Sequence, residues 1–247
     1  MNRFKNKIVL ITGGANGLGR GMAEQYLKEG AKVAIFDIED DTMESVFGNT
    51  PNVLCIHCDV RNYDAVQAAV RQVLDYYGHI DILMNNAGIV HRQSFRACTK
   101  DAWEDTINTN LNGVFFVGQA VANSMIEKGI QGVIVNTSSI SARKTGIDTS
   151  SYGPSKAAVT NLTMVMALEL AQFGIRVNAI GPGTTKTRII NGTVNNPVRN
   201  ALFLSKSPFG RYGEVREAVD LALFLASDEA SFITGETLFE DGGFCLT

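Results

Sequence analysis

The sequence predicts an α/β fold: a single doubly wound parallel sheet with helices on both of its faces. Three observations carry that prediction. Seven short β-rich runs recur from one end of the chain to the other, most of them separated by segments of helical period or length. Several of these runs are near-continuously apolar, as strands buried on both faces are. The chain of 247 residues, 45% hydrophobic and 19% charged, also carries enough apolar material for a full core, which excludes disorder as a global description.

The first strand is read at Lys7–Ile11 and its helix from Leu18, because Leu18, Met22 and Tyr26 fall four apart and Gly30 stands where a helix-ending glycine belongs. Lys32–Phe36 and Val53–Cys58 follow as strands. Val66, Val70, Val73, Leu74 and Tyr77 stripe a second helix, closed by Gly78 ahead of a strand at Ile80–Met84. A long helical stretch at 101–128 precedes the strand Gly132–Asn136, and another at 152–173 precedes Arg176–Ile180. A shorter one at 214–226 precedes the last strand, Glu236–Phe239. No repeat, low-complexity tract or linker intervenes, so residues 1–247 are expected to form one domain. The least regular stretch, about 184–211 with Pro197 and Pro208, is expected to be a substrate-covering lid.

Several functions are excluded by composition. The chain has 22 basic and 25 acidic residues for a net charge of −3, and no basic block, so a nucleic-acid partner is not expected. The apolar run Ile8–Ile11 is too short for a signal peptide's core, and no stretch approaches the roughly 18 apolar residues of a membrane span. A cytoplasmic chain with no membrane partner is expected. Cys55-Ile-His-Cys58 spells C-x-x-C, but residues three apart on a strand point to opposite faces, and no second pair completes a site. His57, His79 and His91 lack metal spacing, so no metal is expected, although His91 could serve on the substrate side.

The first strand runs into Thr12-Gly13-Gly14-Ala15-Asn16-Gly17-Leu18-Gly19 and then a helix. This is G-x-x-x-G-x-G rather than a strict G-x-G-x-x-G, yet the physics is shared: a turn without side chains lets backbone N–H groups and a helix N-terminus meet a pyrophosphate. The second strand ends at Asp37, twenty residues after Gly17. A carboxylate there accepts hydrogen bonds from an adenosine ribose and repels a 2′-phosphate, and no arginine follows it, which favours NAD over NADP. In Tyr152-Gly153-Pro154-Ser155-Lys156, positions i and i+4 of a helix place Tyr152 and Lys156 on one face about 6 Å apart along the axis. Pro154 is tolerable only in a first helical turn, so Tyr152 stands at the helix entrance. A neighbouring ammonium would stabilise a phenolate and lower the pKa of a phenol. Alone, Y-x-x-x-K is a common coincidence.

With these residues in order, the chain resembles the short-chain dehydrogenase/reductase family over essentially its whole length. The resemblance covers the TGGANGLG turn, Asp59-Val60, Asn85-Asn86-Ala87-Gly88, Asn110, Ser139, Tyr152, Lys156 and Pro182-Gly183. It implies a Rossmann-type catalytic domain and a tetrad of Asn110, Ser139, Tyr152 and Lys156. Ser138 is a rival, but the family's spacing of thirteen residues before Tyr152 selects Ser139. By resemblance, Ser139 holds the substrate oxygen, Tyr152 exchanges a proton with it, Lys156 binds the nicotinamide ribose and depresses the tyrosine, and Asn110 holds a water in a proton relay. Cofactor contacts implied in the same way are Gly13, Asn16, Gly17, Leu18 and Gly19 in the turn, Asp59 and Val60 at the adenine, and Asn86 and Gly88 beside them. Thr185 and Thr187, after Pro182-Gly183, match positions at the nicotinamide end.

The activity implied is NAD-dependent hydride transfer to or from a secondary alcohol or ketone. NAIGPGTTKTRIING and ASFITGETLFEDGG resemble the glucose dehydrogenase and sugar/polyol branch. His91, Arg92, Ser141, Arg143, Lys144, Arg188 and Asn191 would suit a sugar, polyol or hydroxy acid. The alternative is a 3-oxoacyl thioester or another bulky ketone, with Phe203 and Phe209 as apolar walls. A non-catalytic dinucleotide sensor is a further class, but such relatives typically lose catalytic side chains, and all four are present here. The family also implies a homotetramer, and the apolar positions Val159, Leu162, Met166 and Leu170 and the tail Phe244-Cys245-Leu246 offer faces for it.

Overall fold

A computed structural model describes residues 2–187, 190 and 194–247, apart from the side chain of Arg199. Every strand run read from the sequence is a strand: β1 (Ile8–Thr12), β2 (Lys32–Asp37), β3 (Val53–His57), β4 (Ile82–Asn85), β5 (Val133–Thr137), β6 (Arg176–Pro182) and β7 (Thr237–Glu240). All pair in parallel, in the order β3-β2-β1-β4-β5-β6-β7. The order reverses between β1 and β4, and the crevice beyond the carboxyl ends of those strands is where such sheets bind ligands.

Strand alternation divides the core in two. Val9 and Ile11 of β1 and Val33 and Ile35 of β2 face one layer. Ile8, Leu10, Ala34 and Phe36 face the other. Helices α1 (Gly17–Lys28) and α2 (Asp40–Phe47) cover the first layer through Met22, Tyr26, Met43 and Phe47. Helices α3 (Tyr63–Tyr77) and α5 (Gly113–Glu127) cover the second through Val66, Val70, Val117 and Val121. Cys55 packs on the first layer and Cys58 lies in the second, as residues three apart on an extended chain must. Among the described residues no cluster of His, Cys, Asp or Glu is fit to hold a metal, and no helix is long and apolar enough to cross a membrane.

Three features depart from the sequence reading. Helix α2 fills the β2–β3 crossover, where eight residues with two buried positions give little periodic signal. The stretch at 101–128 is not one helix: α4 (Lys100–Ile107) and α5 are joined by a π-helical turn at Asn108–Asn112. The segment 184–211 contains a helix, α7 (Pro197–Lys206), entered at the proline. The remaining long helices are α6 (Tyr152–Leu170) and α8 (Val215–Ala226), and α8 packs on the first layer through Val219 and Leu223. The Arg176 guanidinium donates to the carbonyls of Leu225 and Ser227 at 2.8 and 2.9 Å, satisfying the end of α8 from the start of β6.

Leu10 sits in the middle of β1 with no exposed surface. Leu10→Ala is expected to lower the unfolding free energy by about 3 kcal/mol and the melting temperature by roughly 6–12 °C. Calorimetry checks this against Lys5→Ala, an exposed change that should stay within about 0.5 kcal/mol of the parent.

Candidate active site

The carboxyl ends of β1 and β4 are joined by side chains. The Thr12 hydroxyl accepts from the backbone N–H groups of Asn86 and Ala87, both at 2.9 Å. The Asn86 amide donates back to the carbonyls of Thr12 and Gly13 at 3.1 and 3.3 Å. Gly13 turns the chain at φ +64°, a conformation that favours glycine, and a Cβ there would lie 2.9 Å from Ala87 Cα. Gly19 packs α1 onto this turn: a Cβ would stand 2.1 Å from the Gly13 oxygen. Gly19 is therefore a packing glycine behind the site and does not line it. The first turn of α1 carries no acidic residue and no side-chain cap, so its N–H groups remain the acceptor-seeking end of a helix.

A cleft of about 420 Å³ opens over this junction. Gly13, Asn16, Gly17 and Leu18 form one wall. Asp37, Asp59 and Val60 lie at one end, and Asn86 and Gly88 on the floor. The Asp37 carboxylate accepts from Ala15 N at 2.9 Å and from Ile38 N and Glu39 N at 2.7 and 3.1 Å, so it braces the glycine turn as well as facing the cleft. Asn16 donates to Glu39 Oε2 at 2.9 Å, which places a second carboxylate beside Asp37.

Asp59 is not a free acceptor. Arg61 grips it with Nε and Nη2 at 2.9 and 2.7 Å, and this guanidinium holds the Asp59 carboxyl below its usual range. Arg61 Nη1 also reaches Asp105 at 2.5 Å, and Asp105 in turn meets His91 Nε2 at 2.8 Å. Glu39, Arg61 and Asp105 all line the cleft and were not legible as site residues. Only the run of acids after Asp37 hints at Glu39. Arg61 and Asp105 lie 44 residues apart, and no local pattern joins them.

At the other end, β5 delivers Ser139 and α6 delivers Tyr152 and Lys156. Ser138 points its hydroxyl at α6, donating to the Lys156 carbonyl at 3.0 Å and meeting Thr160 Oγ1 at 2.8 Å. The Ser139 hydroxyl accepts from Ser141 N at 3.1 Å and lowers the pKa of the Tyr152 phenol against its burial. Lys156 is buried, donates from Nζ to the Thr137 carbonyl at 2.7 Å and lies 5.8 Å from the Tyr152 ring centre. Burial pushes the Tyr152 phenol upward, opposed by the Ser139 hydrogen bond and the positive charge of Arg92. Burial pushes the Lys156 ammonium down to about 8. The expected depression of Tyr152 by Lys156 is not seen, because desolvation penalises the charged form of both partners.

Asn110 stands behind this group. It is wholly buried in the π-turn, and its amide donates to the Ile89 carbonyl at 2.9 Å and to Ser155 Oγ at 3.1 Å. Its oxygen accepts from Ile89 N at 2.8 Å. The side chain is thus engaged in holding the segment after β4, and it does not line the cleft. Pro182, Gly183, Thr185 and Thr187 complete the far wall.

Several presumed pocket residues go elsewhere. Lys144 donates to the Phe244 carbonyl at 3.1 Å, and Arg143 lies over the Phe239 ring. Phe203 and Phe209 line a second cavity, and Phe203 is stacked between Tyr212 and Phe244. Arg188 and Asn191 lie outside the described residues.

A family model described as enoyl-(acyl carrier protein) reductase matches residues 13–245. The chain is 39% identical to an uncharacterised oxidoreductase of Bacillus subtilis, over 98% of this chain and 92% of that protein. It is 35% identical to L-xylulose reductase of Bos taurus, over 99% of both. The crystal structure of a short-chain type dehydrogenase/reductase from Mycobacterium marinum superposes with a TM-score of 0.92 at 36% identity, covering 98% of this chain and 96% of that one.

Burial of Lys156 has a consequence for stability. Its folded value of about 8 lies below the roughly 10.4 of an unfolded lysine, so the ammonium weakens the fold at low pH. That penalty disappears as pH rises between the two values. Measured by urea unfolding, the stability of the parent relative to Lys156→Met is expected to be flat below pH of about 7 and to rise between about 8 and 10. A pH-independent difference would show that the ammonium is as well solvated in the fold as outside it.

Proposed function

The chain belongs to the short-chain dehydrogenase/reductase family, and on that premise we propose that it is an NAD-dependent oxidoreductase acting on a secondary alcohol or ketone, with a sugar, polyol or hydroxy acid as substrate. The observation that carries this reading is the convergence of Ser139, Tyr152 and Lys156 on the same cleft as the glycine turn. The cleft fits a dinucleotide by its donor set: backbone N–H groups at the start of α1 for a pyrophosphate, and a carboxylate at the end of β2 for a ribose. When bound, the nicotinamide supplies or accepts the hydride.

The chain's own residues do the rest. Ser139 donates to the substrate oxygen, and Tyr152 exchanges a proton with it as general acid/base. Lys156, fixed by the Thr137 carbonyl, holds the ribose and faces Tyr152 with its ammonium. The Ser139 hydroxyl and the positive charge of Arg92 oppose the desolvation that keeps the phenol protonated. Asn110 holds the π-turn and the Ile89 segment in register with α6, so any water it contributes to a relay is held away from its side-chain amide, whose hydrogens are both engaged.

Selection of NAD follows from charge. Asp37 and Glu39 both line the adenosine end, and Arg61, the cation there, is taken by Asp59 and Asp105. Among the described residues, a 2′-phosphate would meet the Asp37 carboxylate and no available guanidinium. The polar substrate reading rests on Arg92, whose charge reaches Tyr152, and on His91, held by Asp105 near the floor. The 3-oxoacyl alternative shares only an acyl-thioester substrate class with the description of the matching family model, and it loses Phe203 and Phe209 as cleft walls. A homotetramer is proposed from uncovered apolar surface: Met164, Val165 and Leu168 on α6, with Leu168 82% exposed, and Phe232 near β7.

NADH is expected to bind at least about tenfold more tightly than NADPH, read by nucleotide fluorescence titration. Equal affinities would refute the role given to Asp37. With absorbance at the NADH band followed against polyols, sugars, hydroxy acids and keto esters, Tyr152→Phe is expected to lower turnover by roughly 10²–10⁴-fold and to leave NADH affinity nearly unchanged. A folded variant that binds NADH and keeps more than about a tenth of the parent's rate would exclude Tyr152 as the proton-transfer group.

A further inference from the structure

A second cavity of about 380 Å³ lies behind the cleft, between the segment 203–217 and the carboxyl end of β7. Gly183 lines both spaces. The wall between them is thin and tightly built. Gly183 N donates to the backbone carbonyl of Glu240 at 2.9 Å and to Glu240 Oε2 at 3.0 Å. A Cβ on Gly183 would stand 2.8 Å from Asp241 Cα, so the two backbones are in direct contact. The other carboxyl oxygen, Glu240 Oε1, is buried without a hydrogen-bond partner.

A half-satisfied buried carboxyl resists ionisation. Burial, helped by the negative charges of Asp241 and Glu217, raises Glu240 to about 7, and the Gly183 N–H opposes the rise. The charges facing it are otherwise matched among themselves. Arg211 is bidentate to Glu217 at 2.8 and 2.6 Å, and Glu214 is paired with Lys186. Asp241 accepts from Gly243 N and Cys245 N, each at 2.8 Å, and Arg143 lies against the Phe239 ring. Among the described residues no cation pairs with Glu240.

We propose that Glu240 senses the oxidation state of the nicotinamide through Gly183, its ionised carboxylate favouring the positively charged oxidised ring over the neutral reduced one. This rests on the reading of the cleft given above, with Pro182–Thr187 at the nicotinamide end. The coupling has a definite sign. When Glu240 is protonated it does not distinguish the two forms; when it is ionised it strengthens binding of NAD⁺ relative to NADH. By reciprocity, NAD⁺ binding favours the ionised carboxyl and releases a proton near neutral pH, and NADH binding does not.

The test is to measure dissociation constants of NAD⁺ and NADH for the parent and for Glu240→Gln at pH of about 6 and about 8. Glutamine keeps the volume and an acceptor for Gly183 N–H, and removes the titration. Across this range the ratio of the NADH constant to the NAD⁺ constant is expected to rise at least about threefold more in the parent than in the variant. Lys156 is common to both proteins and cancels in the comparison. Calorimetry of the parent alone, in two buffers of different ionisation heat, should show net proton release on binding NAD⁺. If both nucleotides bind and the ratio changes equally in the two proteins, or no proton is released, the inference fails while the cleft reading stands. If neither nucleotide binds, both fall together.

Discussion

The Thr12 hydroxyl is the small joint on which this architecture turns. It accepts from two consecutive N–H groups at the end of β4, where the strand order reverses. A buried hydroxyl offers two lone pairs, and both are used to splice strands that lie more than seventy residues apart in sequence. Asn86 extends the splice in both directions. Its amide reaches back to the glycine turn, and its oxygen accepts from Thr137 at 3.4 Å, at the end of β5. The Thr137 carbonyl then fixes Lys156. One run of hydrogen bonds thus crosses three strand ends and terminates on the ammonium of the active site, so the glycine turn and the Tyr152 group are held as parts of one rigid floor.

That floor imposes an electrostatic condition. Lys156 and Tyr152 both enter the interior, and the interior disfavours their charged forms together. A lone buried ammonium is expensive, and a single carbonyl offsets only part of the loss of water. The site is therefore poised rather than set: Ser139, Arg92 and any charge brought in by a bound ligand decide which proton leaves. The Asp37 end of the cleft is the reverse case. There Arg61 is saturated by Asp59 and Asp105.

The strands were legible because a parallel sheet buries both faces of each strand and leaves continuous apolar runs. The glycine turn and the Tyr152–Lys156 spacing were legible because local geometry demands them. What escaped the sequence reading depends on tertiary partners. The π-turn exists where Asn110 is pulled onto Ile89, a residue 21 positions away, and nothing within 101–128 announces it. Asp105 and His91 are joined by the fold, as are Phe203, Tyr212 and Phe244, which stack across three separate segments. That stack is also why Phe203 is unavailable as a substrate wall. Gly19, read as a cofactor contact, is also a close-packing position, with room for no Cβ beside the Gly13 oxygen.

The strand order also governs how the molecule can be assembled. During synthesis β1 and β2 can pair early, but the crevice has no second side until β4 has joined β1, and no Tyr152–Lys156 pair until the chain has passed Lys156. Its far wall waits for β6. Non-local parallel pairing of this kind makes folding slow relative to chains built from local contacts. It also means that no fragment owns the cleft. A ligand that fills it touches segments spread from Gly13 to Thr187, so it draws the whole folding equilibrium toward the native state rather than tightening one region. In a cell, supply of such a ligand would then act on the lifetime of the protein.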